Sequence, residues 1–93
     1  MDDRSKNLRR LGMRSWRRGM KEMDLILGPF SDRELAAQSD DFLSDYEALL
    51  EENDQDLYSW IVARGQGEKA GPERFSAVLD AVATSAWSRL RRD

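Results

Sequence analysis

The sequence predicts an all-α fold: a compact bundle of about five short helices forming one domain. Three observations carry that prediction. No stretch sustains the alternation of apolar and polar residues that a half-buried strand needs. Phe42, Leu43, Tyr46, Leu49 and Leu50 fall at i, i+1, i+4, i+7 and i+8, which is one face of a helix. Punctuation at Gly28-Pro29, Gly65-Gln66-Gly67 and Gly71-Pro72 leaves only short connections, so successive helices must be neighbours.

The first helix is expected over roughly residues 4–13, where Leu8 and Leu11 lie three apart and Gly12 stands near the end. Ser15 is the expected N-cap of a second helix, which runs to about Leu27 and stops at Gly28-Pro29. Met20, Met23 and Leu27 form its apolar stripe, and Asp24 falls within that stripe. Ser31-Asp32-Arg33-Glu34 matches a capping box and should open a short helix carrying Leu35 and Ala36. Ser39-Asp40-Asp41 starts the helix with the clean Phe42–Leu50 stripe. Asn53 or Asp54 caps the next, which carries Leu57, Tyr58, Trp60, Ile61 and Val62. Gly71 precedes Pro72, which suits the first position of a last helix burying Phe75, Val78, Leu79, Val82, Ala86 and Leu90. Tyr58, Trp60 and Trp87 are expected in the core at this spacing. Residues 1–93 read as a single domain. Residues 1–6 and 89–93 are the segments expected to fray, and 65–71 the interior loop expected to move.

Composition narrows the function. The 93 residues suffice for one small core. There is no cysteine and no histidine, which excludes disulfides, thiol nucleophiles, Cys/His zinc sites and a Ser-His-Asp triad. Acid–base work would fall to Asp, Glu, Lys, Tyr and Arg alone, so the chain reads as a non-enzyme with no catalytic or metal site. No apolar run approaches the roughly 20 residues of a membrane span. No signal-peptide core follows the basic start. The Arg-rich opening mimics a mitochondrial presequence, but Asp2 and Asp3 oppose that reading. The net charge of −3 conceals a split. Residues 1–24 hold eight basic and four acidic side chains, residues 25–60 one and ten, and residues 61–93 six and four. A basic head and an acidic middle suggest either two surfaces with different roles or two solvated faces of one bundle.

The stretch "RRGMKEMD", Arg17 to Asp24, breaks several local rules if it begins a helix. Arg17 and Arg18 would oppose the positive end of the helix dipole, and Gly19 in the first turn would cost up to about 1 kcal/mol. A structural reading has Arg18 and Glu22 paired on the surface, Gly19 against a neighbouring helix, and Asp24 paired inside the bundle. A functional reading has a partner's backbone approach Gly19 while arginine offers bidentate hydrogen bonds. Rules broken together mark functional sites. The basic head, Arg9, Arg10, Arg14, Arg17, Arg18 and Lys21, with Trp16 as a stacking platform, supports a different reading, a small nucleic-acid-binding regulator. The acidic middle opposes that. The block Glu51 to Asp56 lacks the glycine and terminal glutamate of an EF-hand loop.

"RRGMKEMD" resembles the arginine-glycine-x-x-glutamate-x-aspartate signature of the succinate dehydrogenase flavinylation factors, also called FAD assembly factors or, in mitochondria, succinate dehydrogenase assembly factor 2. "GPF" at Gly28–Phe30 and "LLEENDQDLYSWI" at Leu49–Ile61 agree with that family at the right distances. The likeness covers about residues 8–62 and fades beyond Gly65. It implies a five-helix bundle that binds the flavoprotein subunit of succinate dehydrogenase, and in some bacteria that of fumarate reductase. It implies that the factor helps that subunit acquire FAD bonded to one of its own histidines. Arg17, Arg18, Gly19, Glu22 and Asp24 become the expected partner-binding residues. Arg18, Gly19 and Glu22 are expected to face outward and Asp24 to brace the helix from within. FAD is expected to be held by the partner and not stably by this chain, which has no Gly-rich dinucleotide fingerprint. The expected location is the bacterial cytoplasm, with the mitochondrial matrix as the alternative.

Overall fold

A computed structural model describes residues 2–90, and the side chain of Leu90 lies outside that description. Among the described residues there are five α-helices and no strand. They are α1 (Asp3–Ser15), α2 (Lys21–Arg33), α3 (Asp40–Leu49), α4 (Asp54–Gly65) and α5 (Ser76–Leu90). Single 3-10 turns at Leu35–Ala37 and Glu73–Phe75 precede α3 and α5. Met1 and residues 91–93, expected to fray, lie outside the described residues. Residues 3–6 belong to α1, where Asp2 accepts from the Ser5 N–H and Arg4 reaches the carbonyl of Gln38 at 2.6 Å.

Helix boundaries departed from expectation where packing outweighed local punctuation. Ser15 does not cap a second helix but ends α1, fully buried. Its hydroxyl donates to the Leu11 carbonyl (2.8 Å) and meets the Tyr46 hydroxyl (2.7 Å). Gly28-Pro29 does not stop α2, which continues to Arg33. Proline removes the N–H that would bond the carbonyl of residue i−4, here Leu25. The Arg89 guanidinium from α5 supplies a substitute, donating to the Leu25 and Ile26 carbonyls at 3.2 and 3.3 Å. Gly28 makes room for the Trp16 indole, whose ring would lie 2.4 Å from any Cβ there. Ser31-Asp32-Arg33 is the last turn of α2 and opens no helix. Ser31 donates to the Gly28 carbonyl, and Asp32 accepts from the Trp16 indole N–H. Pro72 precedes a 3-10 turn, so α5 starts only at Ser76.

Other boundaries agree with their signals. Ser39 accepts from the Phe42 N–H and Asn53 from the Asp56 N–H, as N-caps should. Gly71 has φ of 86°, and a Cβ on it would sit 2.8 Å from Leu79 and 3.0 Å from the Trp60 ring, so only glycine fits. The core runs through all five helices, with Leu11, Met23, Leu27, Phe30, Tyr46 and Leu57 among its fully buried members. Phe30 stacks on Tyr46 with ring centroids 5.8 Å apart. Each such large apolar side chain contributes about 1.5–3 kcal/mol. Two aromatic residues expected in this core are instead on the surface: Tyr58 and Trp87 are 37% and 43% exposed. The loop over 65–71 is bridged by Arg64, which donates to the Ala70 carbonyl and to the Ser76 hydroxyl.

Candidate functional site

Arg17, Arg18 and Gly19 do not begin a helix. They form the connection between α1 and α2, so the supposed clash with the helix dipole does not arise. Met20 is the N-cap of α2, with Glu22 and Asp24 in its first turn, where negative charge is favoured.

The connection is held by two carboxylates. Asp24 accepts from the Arg18 N–H at 2.6 Å, and Asp54, the first residue of α4, accepts from the Gly19 N–H at 2.9 Å. The other oxygen of Asp54 pairs with the Arg18 Nε at 2.7 Å. Arg18 also donates through Nη1 to the Leu50 carbonyl (2.6 Å) and through Nη2 to the Glu52 carbonyl (2.7 Å). Those carbonyls belong to the turn after α3, where helix-terminal oxygens lack intrahelical donors. Arg18 and Asp54 side chains are only 12% and 16% exposed. The guanidinium therefore joins the α1–α2 connection to the end of α3 and the start of α4. This corrects the expectation that Arg18 faces outward: its donors point into the molecule. Asp24 is half-buried and braces the same connection, in the structural role expected of it.

Arg17, Gly19 and Glu22 are exposed. The Arg18–Glu22 surface pair does not form, and Glu22 has no ion pair among the described residues. Gly19 is informative because the fold does not require it. Its φ is not positive, and an added Cβ would meet only an Asp54 oxygen at an ordinary 3.6 Å. A position that tolerates a side chain internally yet lacks one leaves a bare stretch of backbone on the surface. A shallow, mostly polar depression lies beside it, lined by Gly19, Met20, Asn53, Asp54, Gln55 and Asp56.

Part of the basic head is paired, while Arg9, Arg17 and Lys21 are in no ion pair among the described residues. Arg4, Arg10 and Arg14 pair with Asp40, Glu47 and Glu51. Trp16 lays its ring on Gly28 and donates from its indole N–H to Asp32. Among the described residues no cluster of acidic side chains could hold a metal ion, and no helix is long and apolar enough to cross a membrane. An apolar-lined groove between α2, α4 and α5 has about 240 Å³.

Sequence reasoning missed Asp54 as a site residue. Its place in the acidic block pointed only to a cap. Nothing in the local pattern marked its pairing with a residue 36 positions earlier.

A family model described as the flavinator of succinate dehydrogenase matches residues 9–85. The FAD assembly factor SdhE of Vibrio cholerae is 32% identical over 75 residues, covering 81% of this chain and 84% of that protein. That of Photobacterium profundum is 33% identical over 75 residues, covering 81% and 82%. The mitochondrial succinate dehydrogenase assembly factor 2 of Aspergillus terreus is 35% identical over 80 residues, covering 86% of this chain but 25% of that longer protein.

Proposed function

The chain belongs to the succinate dehydrogenase flavinator family, and from that premise we propose that it is an assembly factor for the flavoprotein subunit of that enzyme. It docks on the subunit and promotes covalent attachment of FAD to one of the subunit's histidines. The exposed Gly19 carries this reading. It offers a partner close approach to the backbone of a connection that the fold already holds in place.

Arg17 and Glu22 flank that approach and supply charged hydrogen-bonding groups to the partner. Arg18, Asp24 and Asp54 act from beneath by fixing the connection. FAD stays in the partner, which also owns the acceptor histidine, so a chain without histidine can perform this role. Holding the histidine and the flavin close and oriented lowers the barrier without new chemistry from the factor. The flavoprotein subunit of fumarate reductase is the related second partner, and the bacterial cytoplasm is the compartment that suits these partners.

Co-expression with the flavoprotein subunit tests the proposal, with covalent flavin read by in-gel fluorescence and complex formation by co-purification. Gly19→Arg and Glu22→Ala should each lower both while leaving helical content and Tm unchanged. Wild-type flavinylation and binding in both variants would remove the connection as the docking site.

A further inference from the structure

We propose that the apolar groove between α2, α4 and α5 is a second half of the docking face, taking an apolar segment of the same flavoprotein subunit. This rests on the docking function proposed above.

The groove begins at Ile26, one turn along α2 from the exposed Glu22 that follows the connection bearing Gly19. The Gly19 N–H lies 2.9 Å from Asp54, at the start of α4. Asp54, Tyr58 and Val62 follow at intervals of four, and Glu22 and Ile26 do the same on α2, so each series runs along one helix face. At 1.5 Å per residue Val62 is only about 12 Å along the axis from Asp54. The two helices thus carry a surface from the charged connection to the groove.

Its chemistry is that of an interface centre. Ile26, Tyr58, Ile61, Val62, Ala86 and Trp87 line it. Of these, Tyr58, Val62 and Trp87, from α4 and α5, are 37%, 39% and 43% exposed. Tyrosine and tryptophan are the residues that most often carry binding energy. The walls are fixed in advance. Trp87 lies over Gly65, where a Cβ would come within 1.8 Å of its indole nitrogen. Arg89 ties α5 to the α2 carbonyls of Leu25 and Ile26.

Area points the same way. A standard interface takes about 800 Å² and 20–30 residues from each partner. Arg17, Gly19, Lys21 and Glu22 are far too few to supply it. On the α1 side the neighbouring surface is charged, with Arg10 and Arg14 already paired to Glu47 and Glu51. On the α4 side a polar depression beside Gly19 gives way further along the helix to the apolar groove, and an apolar centre with a polar rim is the usual anatomy of a protein interface.

The test is the affinity of the purified flavoprotein subunit for the whole chain, measured by biolayer interferometry. Val62→Asp and Tyr58→Ala are compared with Gly19→Arg and the wild type. Each groove variant should weaken binding about tenfold or more, with an unchanged circular dichroism spectrum and wild-type Tm. If Gly19→Arg abolishes binding while both groove variants bind like wild type, the groove is not part of the docking face and the docking function stands. If none of the three variants alters binding, the docking reading itself fails and this inference with it. Light scattering provides the last outcome. If the free chain is a dimer that Val62→Asp renders monomeric with flavoprotein affinity intact, the groove serves self-association and the inference is overturned.

Discussion

Replacing Arg18 with alanine should destabilise the fold by about 3 kcal/mol, because breaking a buried ion pair by removing one partner costs about 3–5 kcal/mol. The substitution deletes the bond to Asp54 and leaves the Leu50 and Glu52 carbonyls without their donors. The lower end of that range applies because Asp54 keeps 16% of its side-chain surface in water and can be partly rehydrated. In a domain of this size each kcal/mol lowers Tm by about 4–8 °C, so a fall of roughly 12–24 °C is expected. Arg18→Lys should recover less than half of the loss, since one ammonium cannot serve three acceptors that diverge around a planar fork. The assay is thermal melting by circular dichroism, with a urea titration to confirm an unchanged slope. A double-mutant cycle with Asp54→Ala isolates the pair. If Arg18→Ala melts within a few degrees of wild type, or if the two substitutions are simply additive, the guanidinium is not an internal brace. Arg18 would then return to the outward role its sequence context suggested.

Two glycines should behave in opposite ways, as thermal melts can show. Gly71→Ala places a side chain at φ of 86° and within 2.8 Å of Leu79, and should cost about 1–3 kcal/mol. Gly19→Ala meets neither obstacle and should stay within about 0.5 kcal/mol of wild type. Burial pushes the Tyr46 hydroxyl up to about 12. Below its ordinary value near 10 the phenol is protonated in both the folded and unfolded chain, and its contribution is fully present. Between pH 10 and 12 the unfolded chain loses that proton first, so stability should fall by roughly 2–3 kcal/mol across that window. Ultraviolet absorbance should show the Tyr46 phenolate appearing only near pH 12, and Tm should decline from pH 10 upward.

Features set by neighbours in the chain were legible in the sequence. The Ser39 and Asn53 caps and the Phe42–Leu50 face depend on residues a few positions away, and all are present. Features set across the fold were not. Gly28-Pro29 has the form of a helix stop, yet α2 passes through it because Trp16 and Arg89 arrive from distant segments. Ser15 has the form of a cap, yet the Tyr46 hydroxyl claims it for the core. The same limit governs the candidate site. "RRGMKEMD" is visible as an anomaly, and its resemblance to a family is visible. That Arg18 turns inward depends on Asp54, 36 residues later, and no local pattern records that distance.

This division of labour within one short stretch bears on how its variants should be read. Arg18, Asp24 and Asp54 hold the connection through five bonds to groups of the chain itself, among them both the Arg18 and Gly19 N–H groups. A connection fixed before binding has less conformational freedom to lose when a partner arrives, which favours association without adding a contact. Loss of Arg18 should therefore weaken docking by depopulating the folded, ordered state. Loss at Gly19 or Glu22 should weaken it by removing the contact. The two causes separate with temperature. Far below the lowered Tm, most Arg18→Ala molecules are folded, and their binding to the flavoprotein subunit should approach wild type. Gly19→Arg should stay defective at every temperature where it is folded. If cooling restores Gly19→Arg and leaves Arg18→Ala inactive, the inner and outer roles assigned to these two residues are reversed.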